Sequence, residues 1–318
     1  NISMKSKLVV FILLTATLSL SAQWKPAGDR LKTRWASQID VDNVLPEYPR
    51  PIMERSQWEN LNGLWDYAIL PVGKQTPTSF DGKILVPFAV ESSLSGVQKR
   101  LGSENELWYQ REFTVPSNWK NNRILLHFGA VDWKADVWVN DVKVGQHTGG
   151  YVPFSFDVTP ALKSGANKMI VKVWDGTDQG YQPRGKQVNN PHGIWYTPVS
   201  GIWQTVWMEP VPEKYIENVK ITPDIDKNII NVEAFINQPA SSDRIEVKVM
   251  EGSRVVATGQ SINNQPVEVS MPTNPRLWSP NDPFLYDLEV TVFNGSKQLD
   301  KVKSYTAMRK YSTKRDDK

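Results

Sequence analysis

The segment DVWVNDVKV, residues 136–144, decides how this chain is read. Apolar and polar residues alternate on both sides of Asn140-Asp141, a pair that tolerates the positive φ of a two-residue hairpin turn. Such alternation buries one face of a strand and leaves the other in water. The pattern extends outward. Residues 64–70 (opened by Asn62-Gly63), 84–90 (after Asp81-Gly82), 107–115 and 123–128 predict earlier strands, and 168–174 and 202–208 predict later ones. No stretch keeps a helical period over three turns. Short strands at this spacing, without helices between them, predict a sandwich or jelly roll.

Glu209-Pro210-Val211-Pro212-Glu213 breaks the series. Two prolines remove ladder donors, so this pentapeptide is read as a linker outside any central strand. Beyond it, 215–221, 229–236, 244–250, 254–259, 266–271 and 285–293 predict further strands, and Asn294-Gly295 turns the chain into 298–305. About seven strands in roughly a hundred residues predict an immunoglobulin-like sandwich. A disulfide is excluded, because the sequence has no Cys. Thiolate catalysis and thiolate metal sites are excluded with it.

Length and charge narrow the classes. A chain of 318 residues suggests two domains. The formal charge of +3 gives no electrostatic case for nucleic acid or an anionic membrane. Thirteen Trp supply more large rings than a core of this size normally holds. The amino terminus reads as a secretory signal over residues 1–22: Met4 as the start, Lys5 and Lys7, an apolar run over 8–20, and Ser21-Ala22 as the cleavage region. The run is too short and too rich in Thr and Ser for a spanning helix. Export to the periplasm or the exterior is therefore expected.

Between 174 and 202 lies the longest polar stretch, punctuated by Gly and Pro. Ordered loops beyond roughly 12–15 residues are usually functional. This one carries Asp175, Asp178, Arg184, Lys186, Gln187, His192, Trp195 and Tyr196. Charges, amides and aromatic faces together suit a polyhydroxylated ligand, whose hydroxyls take hydrogen bonds while a ring covers its apolar face. The same residues also read as a loop whose charges pair internally and whose Trp rings pack on the sheet below. Other constellations carry less. His127, His147 and His192 fall on separate elements, with His127 a core residue and His147 set for loop geometry, so they make no zinc site. Asp132, Asp175 and Asp178 have hard oxygen donors without calcium-loop spacing. Gly145, Gly149 and Gly150 do not follow a strand-to-helix step, so they cradle no phosphate. No metal and no cofactor are expected.

Several stretches resemble the family 2 glycoside hydrolases, the β-galactosidase, β-glucuronidase and β-mannosidase group. They are LNGLWDYAI (61–69), VPFAVESSLSGV (86–97), LWYQREFTVPSNW (107–119), the 34 residues at 126–159, SGIWQTVWMEPV (200–211) and NPRLWSPNDPFLYDLEVTV (274–292). The resemblance implies an all-β fold. A galactose-binding-like jelly roll over 23–212 precedes an immunoglobulin-like sandwich over 213–310. Residues 311–318 then begin the approach to a (β/α)₈ barrel that this sequence does not contain. It also implies that the 174–202 loop reaches the mouth of the barrel's active site, with Asp175 and Asp178 as the best binding candidates and the other six residues contacting the sugar or the barrel.

A retaining glycosidase needs two carboxyl groups about 5–5.5 Å apart. In the family the acid/base Glu follows an Asn. The one Asn-Glu here, Asn105-Glu106, stands before the 107–115 strand, in the wrong element, and Glu91 reads as structural. No catalytic residue is assigned. The expectation is the amino-terminal, non-catalytic portion of an exported retaining β-glycosidase, most like a β-galactosidase. Its partners would be a β-glycoside and the catalytic barrel, with homo-oligomerisation open. Two other readings are a complete secreted carbohydrate-binding module and an adhesin-like pair of sandwiches.

Overall fold

A computed structural model describes residues 24–28, 32–262 and 264–315. The expected signal segment, 1–22, lies outside the described residues. Strands account for nearly all regular structure, and the only helical elements among the described residues are five 3-10 turns of three to five residues.

The amino-terminal half packs two antiparallel sheets. One has four strands in the order Glu59–Asn60, Val206–Val211, Arg123–Phe128, Phe154–Asp157; the other has six, in the order Gly82–Val86, Gly63–Pro71, Asn105–Thr114, Ala166–Trp174, Lys134–Val139, Val142–Thr148. The hairpin at Asn140-Asp141 forms with φ of 49° and 66°. Between the sheets lie Trp65, Tyr109, Leu126, Phe128, Met169 and Met208. Trp65 stands edge-on to Tyr109 at 6.2 Å, and its indole N–H donates to the Leu61 carbonyl at 2.9 Å, so the ring is buried without an orphaned donor. Full burial of a Phe or Met side chain contributes roughly 1.5–3 kcal/mol, so this layer supplies most of the driving force. Part of the Trp surplus goes to packing on the far face of the six-stranded sheet, where Trp108 stacks on Trp138 at 6.1 Å beneath Lys172 and Lys143.

The second half has a three-stranded sheet (Ile216–Asp224, Ile229–Ile236, Val267–Ser270) facing a four-stranded one (Arg254–Ile262, Asp243–Glu251, Tyr286–Asn294, Lys297–Thr306). Its core is aliphatic: Ile230, Val232, Val247, Val249, Leu288, Val290 and Val302 are buried.

Three differences from the expected strands have local causes. The run at 202–208 is split: Gly201–Ile202 pairs with Val131–Asp132, residues 203–205 leave the ladder, and pairing resumes at Val206. Pro210 lies inside a strand rather than in a linker. Its neighbour on one side, Glu59–Asn60, reaches only as far as Met208 and Trp207, so at Pro210 the strand is an edge and its missing N–H breaks no bond. His147 belongs to the Val142–Thr148 strand and stacks on Phe154 at 4.1 Å.

The two halves are strapped together by residues 48–57. Met53 is buried in the second core, Ser304 Oγ donates to the Ile52 carbonyl, and Glu54 pairs with Lys303. Arg55 is buried and reaches both carboxylate oxygens of Asp300 at 2.6 and 2.8 Å while donating to the Ile216 carbonyl at 2.9 Å. Asp300 in turn accepts the Ile216 N–H at 2.7 Å.

Candidate functional site

The 174–202 loop is built from its neck outward. Ala166–Trp174 ends on Trp174, whose indole N–H donates to the Ser103 carbonyl at 2.8 Å. Asp175 then turns the chain: one carboxylate oxygen accepts the Thr177 N–H at 2.7 Å, and the other accepts the Ser200 hydroxyl at 2.7 Å. One buried side chain thus ties together residues 25 apart in sequence. Ser200 is held again by Glu91, whose Oε2 accepts its N–H at 2.9 Å. Next to it the Tyr109 hydroxyl accepts the Ile202 N–H at 3.1 Å. Only glycine fits at 201, where φ is +88° and a Cβ would lie 2.1 Å from that hydroxyl.

Above the neck the loop satisfies its own backbone. Arg184 donates to the Gln187 carbonyl at 2.9 Å with its guanidinium over the Trp195 ring. Lys186 and Tyr196 are exposed, and they meet through the backbone only, at 2.8 Å. The Gln187 side chain spans two segments, donating to the Tyr151 hydroxyl at 3.1 Å and accepting the Val199 N–H at 2.6 Å. Asp178 accepts from Asn189 at 2.5 Å. Burial acts upward on its carboxyl, but that amide and Gln179 outweigh it and hold the group below its ordinary range. His192 is exposed, with Nδ1 2.7 Å from the Asn190 carbonyl. Tyr181 is fully exposed, and Ile194 and Tyr196 are two-thirds exposed.

The eight residues expected in the site therefore separate into two groups. Asp175, Arg184, Gln187 and Trp195 shape the loop, Asp178 braces it through Asn189, and Lys186, His192 and Tyr196 present their side chains outward. Two carboxyl groups beneath the loop complete the site. Burial, with a contribution from the Asp175 charge and against the Ser200 bonds, pushes Glu91 up to about 7. Burial and the charges of Asp175 and Glu91, against the Gln187 amide, push Asp132 up to about 7. Glu91, read from sequence as structural, leaves Oε1 without a hydrogen-bond partner; together with the equally unpartnered Gln98 Nε2 it borders a hollow of about 340 Å³ beside Thr197. The sequence signal was a charged residue directly after the apolar run 84–90. Ser200 and Tyr151, which close the loop, had none. Among the described residues, no three His, Asp or Glu side chains converge in a way that could hold a metal ion.

Asn105-Glu106 stands apart from all of this. Glu106 pairs with Lys172 at 3.1 Å on the far face of the six-stranded sheet.

Two family models match the chain, leaving only Glu213 between them. "Glycosyl hydrolases family 2, sugar binding domain" covers 97–212 and "Glycosyl hydrolases family 2" covers 214–309. A putative β-glucuronidase of Formosa agariphila is 29% identical over 216 residues, which are 65% of this chain and 25% of that protein. A β-galactosidase of Thermoanaerobacter pseudethanolicus is 28% identical over 222 residues, 66% of this chain and 29% of that one. A crystallised β-glucuronidase from Ruminococcus gnavus shares the fold, with a TM-score of 0.64 at 21% identity over 83% of this chain and 47% of that one. The chain thus spans between a quarter and about half the length of the proteins it matches.

Proposed function

This chain belongs to glycosyl hydrolase family 2, and we propose that it is the amino-terminal, non-catalytic part of a retaining β-glycosidase acting on terminal β-glycosides. The loop over 175–200 forms one wall of the pocket for the terminal sugar. The two carboxyl groups of the retaining reaction, a nucleophile and a general acid/base, stand on a barrel outside this sequence. The observation that carries this reading is the neck: Asp175, Ser200 and Glu91 hold a long polar loop rigidly at one end of the sandwich. Lys186, His192 and Tyr196 meanwhile face outward with their side chains uncommitted to the sheet. A preorganised loop of this kind lowers the ordering cost of binding a polar ligand.

A β-galactoside is the substrate we favour. The β-galactosidase among the relatives supports this choice. The second reading, a β-glucuronide, draws on Lys186, whose ammonium on the exposed loop suits a sugar carboxylate, and on the β-glucuronidases among the relatives. We also place the protein outside the cytoplasm, from the leader-like start, and assign domains to 23–212 and 213–310.

Turnover of nitrophenyl β-galactoside and β-glucuronide is the test, run on the 318-residue chain and on the product of a reading frame extended past Lys318. The short chain is expected to match a buffer blank and the long one to cleave the galactoside. Turnover by the short chain would overturn the non-catalytic assignment, and an extension without a carboxylate-bearing barrel would overturn the hydrolase.

A further inference from the structure

A second concave site lies away from the loop neck, on the outer face of the four-stranded sheet, where a cavity of about 770 Å³ opens between that face and the Ile216–Asp224 strand. Its floor is a cross-strand row, Trp207, His127 and Ser155, in register on neighbouring strands. Tyr48 and Arg50 cover Trp207 from one side: Tyr48 stands edge-on at 5.3 Å and the Arg50 guanidinium lies 5.1 Å from the ring. The open part of the groove has two aromatic rings on one wall, Tyr151 and Trp203, paired edge-to-face at 6.2 Å. The Trp203 ring is pinned by its N–H to the Gly150 carbonyl at 2.8 Å. Polar side chains stand around them: Ser155, Gln204, Glu47 and Glu217, all exposed. Glu217 sits at a β-bulge, where the register shifts between Ile216 and Asn218, and a bulge re-aims its side chain out of the strand's regular alternation.

The chemistry selects a ligand. Fixed aromatic faces beside carboxylates and amides match a pyranose, which offers an apolar ring face and vicinal hydroxyl donors. The charge balance selects among sugars. Arg50 is spent on Glu209 at 2.8 Å, so Glu47 and Glu217 leave the groove acidic and hostile to a uronate. Its volume is that of a multi-ring ligand rather than a single small molecule. The groove is also continuous with the loop, because Tyr151 lines one and its hydroxyl anchors Gln187 of the other. We propose that this groove is a second carbohydrate-binding site, taking neutral pyranose rings of a β-linked oligosaccharide. It lies wholly within this chain and stands without the hydrolase reading, so its failure leaves the loop assignment untouched.

Calorimetry and Trp fluorescence on the 318-residue chain test it, with β-1,4-galactotetraose as probe and a glucuronate-terminated tetrasaccharide as the anionic control. Saturable binding of the neutral probe is expected, with binding of the control at least tenfold weaker. Glu217→Ala, at an exposed position, should weaken binding about tenfold, the loss of one charge-assisted hydrogen bond. Ser155→Trp should fill the floor and abolish binding while circular dichroism stays unchanged; if that variant fails to fold, Glu217→Ala decides. No binding of the neutral probe, or binding indifferent to Glu217→Ala, would overturn the proposal. Binding lost in Lys186→Ala but kept in Ser155→Trp would place the sugar on the loop and overturn it equally.

Discussion

Raising the pH should loosen the neck of the loop. Glu91 and Asp132 stand at about 7 in the folded chain against ordinary values of 4.5 and 3.8. Opening the neck would return both to water and toward those values. Between the two limits the closed form holds more protons than the open form, so the opening free energy falls as pH rises. The stabilisation is complete below about 4 and is lost as pH passes through 7. For Glu91 alone, linkage from pH 5 to pH 8 removes about 2–3 kcal/mol. The two groups titrate together, so one proton's worth is the conservative figure. That corresponds to roughly a hundredfold more opening. Hydrogen exchange of peptides covering 176–199, corrected for intrinsic rates, measures it directly, with Ile229–Ile236 in the second core as a control that should not respond. Asp175→Asn, which removes a lesser charge acting on both carboxyls while burial remains, should make the profile shallower without abolishing it. Opening that is constant within twofold from pH 5 to 8, or that falls as pH rises, would refute the assignment of a proton-holding neck.

Other consequences can be measured on the same chain. Arg55→Met leaves Asp300 buried without its cation and should cost about 3–5 kcal/mol in urea unfolding, whereas Arg55→Met with Asp300→Leu should recover a large part of it; equal losses in the single and double variants would contradict this. Gly201→Ala must move the Tyr109 hydroxyl or abandon a φ of +88° and should destabilise by about 1–3 kcal/mol. Tyr109→Phe, which strips the buried Ile202 N–H of its acceptor, should cost about 1–3 kcal/mol, seen as a lowered urea midpoint at constant slope. Gln187→Ala should free both Val199 and Tyr151 and raise proteolytic nicking within the loop several-fold without shifting the global unfolding midpoint.

The strands were legible wherever burial imposed a period of two. Asp243–Glu251 and Ile229–Ile236 lie where alternation does, to within a residue at either end, because each has one face in a core. What escaped the reading depends on partners distant in sequence. Phe154–Asp157 and Glu59–Asn60 are too short to show a period and become strands only through pairing with Arg123–Phe128 and Val206–Val211. Pro210 is tolerated because one neighbour stops short, a fact about another segment's length. The presence and polarity of the loop could be read; Asp175, expected among the binding residues, is buried and ties the loop's two ends together. The closure of that loop by Ser200 could not be read, since no local pattern links positions 25 residues apart.

The loop bears on function because of how its polar groups are divided. Internal turns and the Asp175–Ser200–Glu91 tie satisfy the donors and acceptors that would otherwise be lost on burial. This leaves the Lys186 and Tyr196 side chains free of structural duty and asks of His192 only a local contact with the Asn190 carbonyl. A loop that relied on those three for its own order would have to surrender that order to bind anything, and affinity would fall by the cost of re-forming it. Here the cost is met by the neck, beneath the surface a ligand would touch. Substitutions at Lys186, His192 or Tyr196 should therefore change ligand affinity at unchanged urea stability, whereas substitutions at Asp175 or Ser200 should change both. Calorimetry and urea titration on the same five variants would separate the groups, and a stability loss above about 1 kcal/mol in any of the first three would show that the division is not real.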